Sequence, residues 1–270
     1  MTLVVCATPI GNLEDVTLRV LRELAEADLV LCEDTRRTRV LLDRHGVRAR
    51  LSSFHRHNEA RRAGEIVERL AAGERIALAS DAGLPGVNDP GAALVSGALA
   101  AGLEVTVLPG PSAVETALVA SGLVGERFTF VGYLPRARGA LERLWAEVAE
   151  WRWPVVAFES PRRLPASLAS LAAAHPKRPV AVCRELTKRF EEVVRGSARE
   201  LAERFAAPPK GEVTLVLGAA PAPGAEAGDV DEALTAVREL VAAGVSRRRA
   251  ADVVARLTGT SRNRLYRDSL

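Results

Sequence analysis

Short apolar runs of strand length alternate with amphipathic segments of helix length along most of the chain, and this alternation restricts it to an α/β architecture. Residues 3–7 form the first apolar run, and a helix-period segment follows near 16–27. The pattern continues with a strand at 29–32, a helix near 35–44, a short third strand before Ser53, a helix near 59–72, a strand at 75–79, a helix near 91–101 and a strand at 104–108. Strands separated by helices run parallel, with right-handed crossovers. A second set follows, with strands near 128–131, 155–159, 180–184, 191–196 and 212–217, and helices near 140–150, 162–174 and 198–205. Only a short connection separates Arg184 from Glu191, so those two strands pair antiparallel and the second sheet is mixed. The expected division is therefore an α/β domain over 1–115 and a second α/β domain over 116–217.

Residues 218–228 are almost all Ala, Pro and Gly, and read as a linker. Beyond them, residues 229–270 read as a separate helical piece. Asp229 with Glu232 opens its first helix as a capping box, Val230, Leu234, Val237, Leu240 and Val241 form one apolar stripe, and Gly244 supplies the stop. Ser246 then caps a helix carrying Ala250, Val253, Val254 and Leu257, Gly259 ends it, and Ser261 begins a third. The net charge of +3 over 270 residues announces no partner by itself, but its distribution does. From Ser246 onward seven arginines face only Asp252 and Asp268.

Cys6, Cys32 and Cys183 lie far apart with no metal-ligand spacing, so a metal site is not expected and buried thiols of a reducing compartment are. No basic leader precedes the first strand and no apolar run reaches spanning length, which points to a cytoplasmic protein.

The chemistry-bearing motifs sit at strand ends, where open α/β sheets bind ligands. Thr8-Pro9-Ile10-Gly11-Asn12 follows the first strand, the Gly/Pro-rich Ser80 to Gly91 follows the fourth, and Pro109-Gly110-Pro111-Ser112-Ala113 follows the fifth. Parallel strands bring such turns to one edge. Asp81 is a carboxylate of the kind that accepts from ribose hydroxyls. Asp89-Pro90 reads as an N-cap followed by a proline in the first helical turn, and Ser112 with Glu115 as a capping box. Two polar stretches, Cys32 to Thr38 and Ser53 to Glu59, also sit at strand ends and carry Arg36, Arg37 and Arg56. None of the turns matches GxGxxG or a Walker sequence, and no GxSxG or HExxH occurs.

Taken together, Ala7-Thr8-Pro9-Ile10-Gly11-Asn12-Leu13-Glu14-Asp15, Glu33-Asp34-Thr35-Arg36, Ser80-Asp81-Ala82-Gly83, Pro109-Gly110-Pro111-Ser112-Ala113, Phe158-Glu159-Ser160-Pro161, Arg184-Glu185-Leu186-Thr187-Lys188 and Lys210-Gly211-Glu212 closely resemble the ribosomal RNA small subunit methyltransferase I family of the tetrapyrrole methylase superfamily. The resemblance covers residues 1 to about 217, and the helical appendage also looks like that family's. It implies two α/β domains with S-adenosylmethionine in the cleft between them, a parallel-rich first sheet and a mixed second one. It further implies 2'-O-methylation of a cytidine in the decoding region of small-subunit (16S) ribosomal RNA, free or assembled in the 30S subunit, by a homodimer. One departure is visible: the family's loop usually reads Ser-Asp-Ala-Gly-Thr-Pro, and Leu84 stands here in place of the threonine.

By this resemblance the cofactor meets Pro9, Asp81, Ala82, Gly83, Ser112 and Ala113 from the first domain, and Leu186, Gly211 and Glu212 from the second. The general base is open among Glu33, Asp34, His55, His57, Glu185 and Lys188, with Glu185 and Lys188 put forward because their segment begins at a strand end facing the cleft. RNA is expected to meet Arg36, Arg37 and Arg56 on the cleft side, and Arg247, Arg248, Arg249, Arg262 and Arg264 on the appendage, whose helices resemble a helix-turn-helix. Two other readings remain: a superfamily enzyme with a small-molecule or protein substrate, and a non-enzymatic nucleic-acid-binding regulator.

Overall fold

The computed structural model describes residues 2–220, 230–258 and 260–269. Strands β1 (Thr2–Cys6), β2 (Leu29–Cys32), β3 (Leu51–Ser53), β4 (Ile76–Ala79) and β5 (Glu104–Leu108) alternate with helices α1 (Leu18–Glu26), α2 (Thr35–Arg44), α3 (Glu59–Ala71), α4 (Ala92–Ala100) and α5 (Ala113–Ser121). They form one sheet of order β3-β2-β4-β1-β5 in which every pairing is parallel. Strands β2 and β4 are buried throughout, as continuous apolar runs covered by helices on both faces must be. Because β4 and β5 flank β1, the three Gly/Pro turns that follow these strands emerge side by side.

The second sheet is built from β6 (Thr129–Tyr133), β7 (Val155–Glu159), β8 (Pro179–Arg184), β9 (Glu192–Ser197) and β10 (Val213–Leu217), with α6 (Arg138–Val148), α7 (Leu164–Ala174) and α8 (Ala198–Arg204) between them. Its order is β6-β7-β10-β8-β9. Only β6 and β7 pair in parallel, and β10 runs antiparallel to both its neighbours. The register sets Val213 opposite Glu159 and Arg184 at one end, and Leu217 opposite Val155 and Val180 at the other. The two sheets are joined by a shared core: Val114, Ala117 and Leu118 of α5 pack with Ile10 on one side and with Val156, Ala181, Cys183 and Val216 on the other. Burying this apolar surface stabilises the arrangement by roughly 25 cal/mol per Å² and holds the two strand edges in fixed opposition.

Helices α9 (Val230–Ala242), α10 (Arg247–Thr258) and α11 (Arg262–Asp268) carry a core of their own, with Leu234, Val237, Ala250, Val254 and Leu265 at its centre. Gly244, at φ +89°, ends α9 in the left-handed region, and the Ser261 side chain caps α11 by accepting from the Arg264 N–H. The expected roles of Asp229 and Gly259, and most of the linker, lie outside the described residues. Leu257 does not join the stripe assigned to its helix, being 69% exposed. No described helix is long and apolar enough to cross a membrane.

Two capping assignments are corrected. Helix α4 begins at Ala92, so Asp89 is not its N-cap and Pro90 is not in its first turn; the Glu59 carboxylate, from the start of α3, accepts from the Gly91 and Ala93 N–H groups at 2.9 and 3.1 Å. Ser112 precedes α5 without capping it, because its hydroxyl turns instead to the Glu115 carboxylate.

Candidate active site

The turns after β1, β4 and β5 meet at one edge and are bound together there. Thr8 and Gly83 exchange backbone hydrogen bonds of 2.8 and 3.0 Å, an isolated antiparallel bridge between two loops of a parallel sheet. The Thr8 hydroxyl donates to the Ser80 carbonyl at 3.0 Å, and the Ser80 hydroxyl to that of Gly83, also at 3.0 Å. Gly83 sits at φ +76°, a conformation that turns the chain back toward Thr8 at little cost only without a side chain. The loop is thereby fixed with Asp81 at its tip. Leu84 packs against the core of the first sheet.

The second wall comes from the loop after β8 and the start of β10. Glu185 and Thr187 both have positive φ, of 52° and 64°, which for non-glycine residues stores strain and keeps company with functional sites. The contacts that hold them are specific. The Thr187 hydroxyl accepts from the Asn12 N–H at 3.0 Å, which links the two walls directly. One Glu185 carboxylate oxygen accepts from Lys188 Nζ and from the Glu212 N–H, each at 2.9 Å, and Lys188 also donates to the Glu212 carboxylate at 2.9 Å. Gly211, at φ +92°, is where any β-carbon would collide with the Glu185 side chain.

Between the walls lies a cavity of about 320 Å³, bounded by Pro9 and Ile10, by Arg37 and Leu41 on α2, by Asp81 and Ala82, and by Lys188 and Glu212. Its size falls in the range of small-molecule sites. Asp81 accepts from the Asp34 N–H at 2.9 Å and pairs with Arg37 at 3.5 Å. Asp34 caps α2 through the Arg36 N–H, and its bidentate contact with the Arg36 guanidinium holds its carboxyl down at about 2. The Lys188 hydrogen bond, aided by the Glu212 N–H, lowers the Glu185 carboxyl below its usual range. Burial works against the Lys188 ammonium, but the two carboxylates outweigh it and hold its pKa above normal.

A third carboxyl behaves in the opposite way. Asp89 is half-buried, has no hydrogen bond or ion pair among the described residues, and is pushed up to about 6 by burial and then by the charges of Glu33 and Asp81. Glu33 is itself raised, by burial and then by Asp81. Across from this loop, Tyr133 stands on Phe158 edge to face at 5.5 Å, and Asp89 is first among the charges that burial leaves acting on its hydroxyl.

Of the residues expected from the sequence, Pro9, Asp81, Ala82, Lys188, Glu212 and Arg37 line one cavity, and Glu185 is hydrogen-bonded directly behind it. Gly83 and Gly211 shape the two loops. Leu186 is buried in the core shared by the sheets, and Ser112 and Ala113 lie at the start of α5, outside the cavity wall. Arg36 is committed to Asp34, and Arg56 donates to the Asn88 carbonyl at 3.1 Å. On the appendage, Arg262 pairs with Asp252, Arg264 with Asp268 at 3.6 Å, and Arg247 lies over the Tyr266 ring, while Arg248 and Arg249 are exposed and make no ion pair among the described residues. Asp89 and Tyr133 were not singled out as site residues from the sequence: a capping explanation covered the first, and nothing local marks the second.

This arrangement, a parallel sheet and a mixed sheet meeting over a cleft built from strand-end loops, is the one that defines the tetrapyrrole (corrin/porphyrin) methylases, whose family model matches residues 2–202. A uroporphyrin-III C-methyltransferase structure from Thermus thermophilus, in complex with S-adenosyl homocysteine, superposes with a TM-score of 0.57 over 80% of this chain and 96% of that one at 20% identity. Closer in sequence are ribosomal RNA small subunit methyltransferase I of Mesorhizobium japonicum, 45% identical over 97% of this chain and 88% of the relative, and that of Thermotoga maritima, 42% identical over 80% and 97%. The chain belongs to the ribosomal RNA small subunit methyltransferase I family.

Proposed function

We propose that the chain transfers a methyl group from S-adenosylmethionine to the 2'-oxygen of a cytidine in the decoding region of small-subunit ribosomal RNA, in the cytoplasm. The observation that carries this reading is the 320 Å³ cavity walled by the Asp81 loop on one side and by the Glu185–Lys188–Glu212 cluster on the other. The residues present fit the cofactor. Ile10, Val40 and Leu41 offer apolar surface to a base, Asp81 offers carboxylate oxygens to ribose hydroxyls, and the surrounding acidic groups favour a sulfonium charge. When bound, S-adenosylmethionine supplies an electrophilic methyl group.

The protein's part is to place the ribose oxygen in line and to relieve it of its proton. Positioning in a closed site contributes roughly 7 to 11 kcal/mol. Lys188, held protonated, cannot accept a proton, and Glu185, held well ionised, is a weakened base. These two therefore serve as a fixed ion pair that shapes the wall and orients Glu212. Asp89, on the same loop as Asp81 but outside the cavity wall, is the proton acceptor of this reading: it is unpartnered among the described residues, and burial raises it to about 6, close to the pH at which a base works best. Arg37 and Arg56 at the cleft, and Arg248 and Arg249 on the appendage, are the phosphate contacts of this reading. A homodimer, as the resemblance implies, is part of it, and light scattering of the full chain measures that directly.

The deciding experiment is transfer of labelled methyl from S-adenosylmethionine to purified small subunits lacking the modification, followed by nucleoside analysis. Appearance of 2'-O-methylcytidine is expected; cofactor binding without transfer to subunits or free ribosomal RNA would overturn the proposal.

A further inference from the structure

A larger recess, of about 530 Å³, opens at the opposite end of the second sheet, where β7 and β8 begin and β10 ends. Its walls are residues 123–127, residues 152–154, Pro179, and Gly218 with Ala219. The register separates it from the cleft by the length of β7, roughly 13 Å at 3.3 Å per residue. The Arg127 guanidinium lies 3.8 Å over the Trp153 ring, and Trp151 and Trp153 are near-parallel, 9° apart with centroids at 6.2 Å. Trp153 is anchored by donating its indole N–H to the Thr129 hydroxyl at 2.6 Å.

Beneath this surface lies a buried charge without a counterion. Arg178 is 4% exposed; its Nε donates to the Gly218 carbonyl at 2.7 Å and its Nη1 to that of Val148 at 3.2 Å, while Nη2 is buried without a partner. Burial and the neighbouring Arg152 pull its pKa down to about 10. Glu126 lines the same recess, yet among the described residues no carboxylate pairs with Arg127, Arg152 or Arg178. A buried cation paired with no carboxylate and beside another cation is costly, and an anion brought to this place relieves it.

We propose that this recess is a second RNA-binding point, taking one unpaired nucleotide with its base against the Arg127–Trp153 pair that lines it and its phosphate against Arg152 above Arg178. Aromatic faces with arginines beside them are how single strands are held without regard to sequence. The inference rests on the reading of the chain as an RNA methyltransferase and adds to it a contact away from the reacting ribose.

The probe is a fluorescein-labelled ten-residue oligouridylate titrated onto the full chain, with inorganic polyphosphate as a competitor that carries charge but no base. Arg152→Gln, at an exposed position, is expected to weaken binding about tenfold and to lower the salt slope by about 0.7, the single-strand value for one phosphate contact. Trp153→Leu is expected to weaken binding at least about fivefold with the slope unchanged. Probe binding should also quench indole fluorescence, a signal owed to Trp151 and Trp153 because Trp145 is 2% exposed. Wild-type affinity and slope in both variants would overturn the proposal. So would a loss confined to Arg152→Gln with polyphosphate competing equally on wild type and Trp153→Leu, which would leave a bare anion site. These readouts are independent of turnover: absent methyl transfer with intact probe effects sinks the enzymatic reading, whereas intact transfer with no probe effects sinks the recess alone.

Discussion

A carboxyl group held above its solution pKa withholds stability from the folded chain once it ionises. Asp89 is such a group: its pKa is about 3.9 in an unfolded chain and about 6 here, so folded molecules bind more protons between those values and stability falls as pH rises through that window. Asp89→Asn removes the effect. Thermal denaturation is therefore expected to give the variant a higher Tm than wild type at pH 8, the difference vanishing below about pH 4, while kcat falls by about 10²- to 10⁴-fold. Wild-type turnover should rise with pH to a plateau above about 6 to 7, and the variant's residual rate should be flat. Unchanged turnover in Asp89→Asn would remove it as the base. Lys188→Met has the opposite signature. Glu185, whose pKa is lowered, contributes stability above the ordinary carboxylate range and loses it as pH falls, so this variant should have a lower Tm at pH 7 with a deficit that shrinks below about pH 4. Asp81 and Lys188 were legible as site residues because their motifs are contiguous; Asp89 was not, because the residue that caps α4 in its place, Glu59, lies thirty positions upstream in the chain.

Elements whose ends are set by neighbouring residues are the ones the sequence shows well. Helix α2 spans Thr35–Arg44 as expected, since its cap, Asp34, directly precedes it. The start of α4 and the turn at Ser112 depend on side chains arriving from other places or turning another way, and no local pattern carries that information. The same holds for the Arg184–Lys188 loop, whose positive-φ Glu185 and Thr187 are stabilised by Lys188, Glu212 and Asn12. Gly211 tests that loop. Gly211→Ala faces both the left-handed penalty, about 1 to 2 kcal/mol, and a collision with Glu185, so chemical denaturation should show at least that loss. Calorimetry should show weaker S-adenosylmethionine binding as the wall shifts. An unaltered affinity would mean that the second wall does not touch the cofactor.

At the scale of the whole molecule, the parallel and mixed sheets and the helical appendage could be laid out from periodicity alone, whereas the partition of the appendage arginines could not. Outward spacing makes all of them look available, but Arg262 and Arg264 are paired to aspartates and Arg248 and Arg249 are not. Arg248→Gln and Arg249→Gln are each expected to lower the salt slope of binding to small-subunit RNA by about 0.7 to 0.9, and Arg262→Gln to leave it nearly unchanged. Equal effects from all three would mean that the aspartate pairs open on binding.

The three-helix unit leaves the body of the protein from the end of β10, beside the tryptophan recess rather than beside the cleft. Ten peptide steps from Ala220 to Val230 reach no farther than about 35 Å even when fully drawn out. Once a strand of RNA is caught at either place, its encounter with the other is no longer a search through solution but a local event on a leash. Two weak grips within that reach then act as one firm one, favouring RNA whose accessible single strand spans both stations at once.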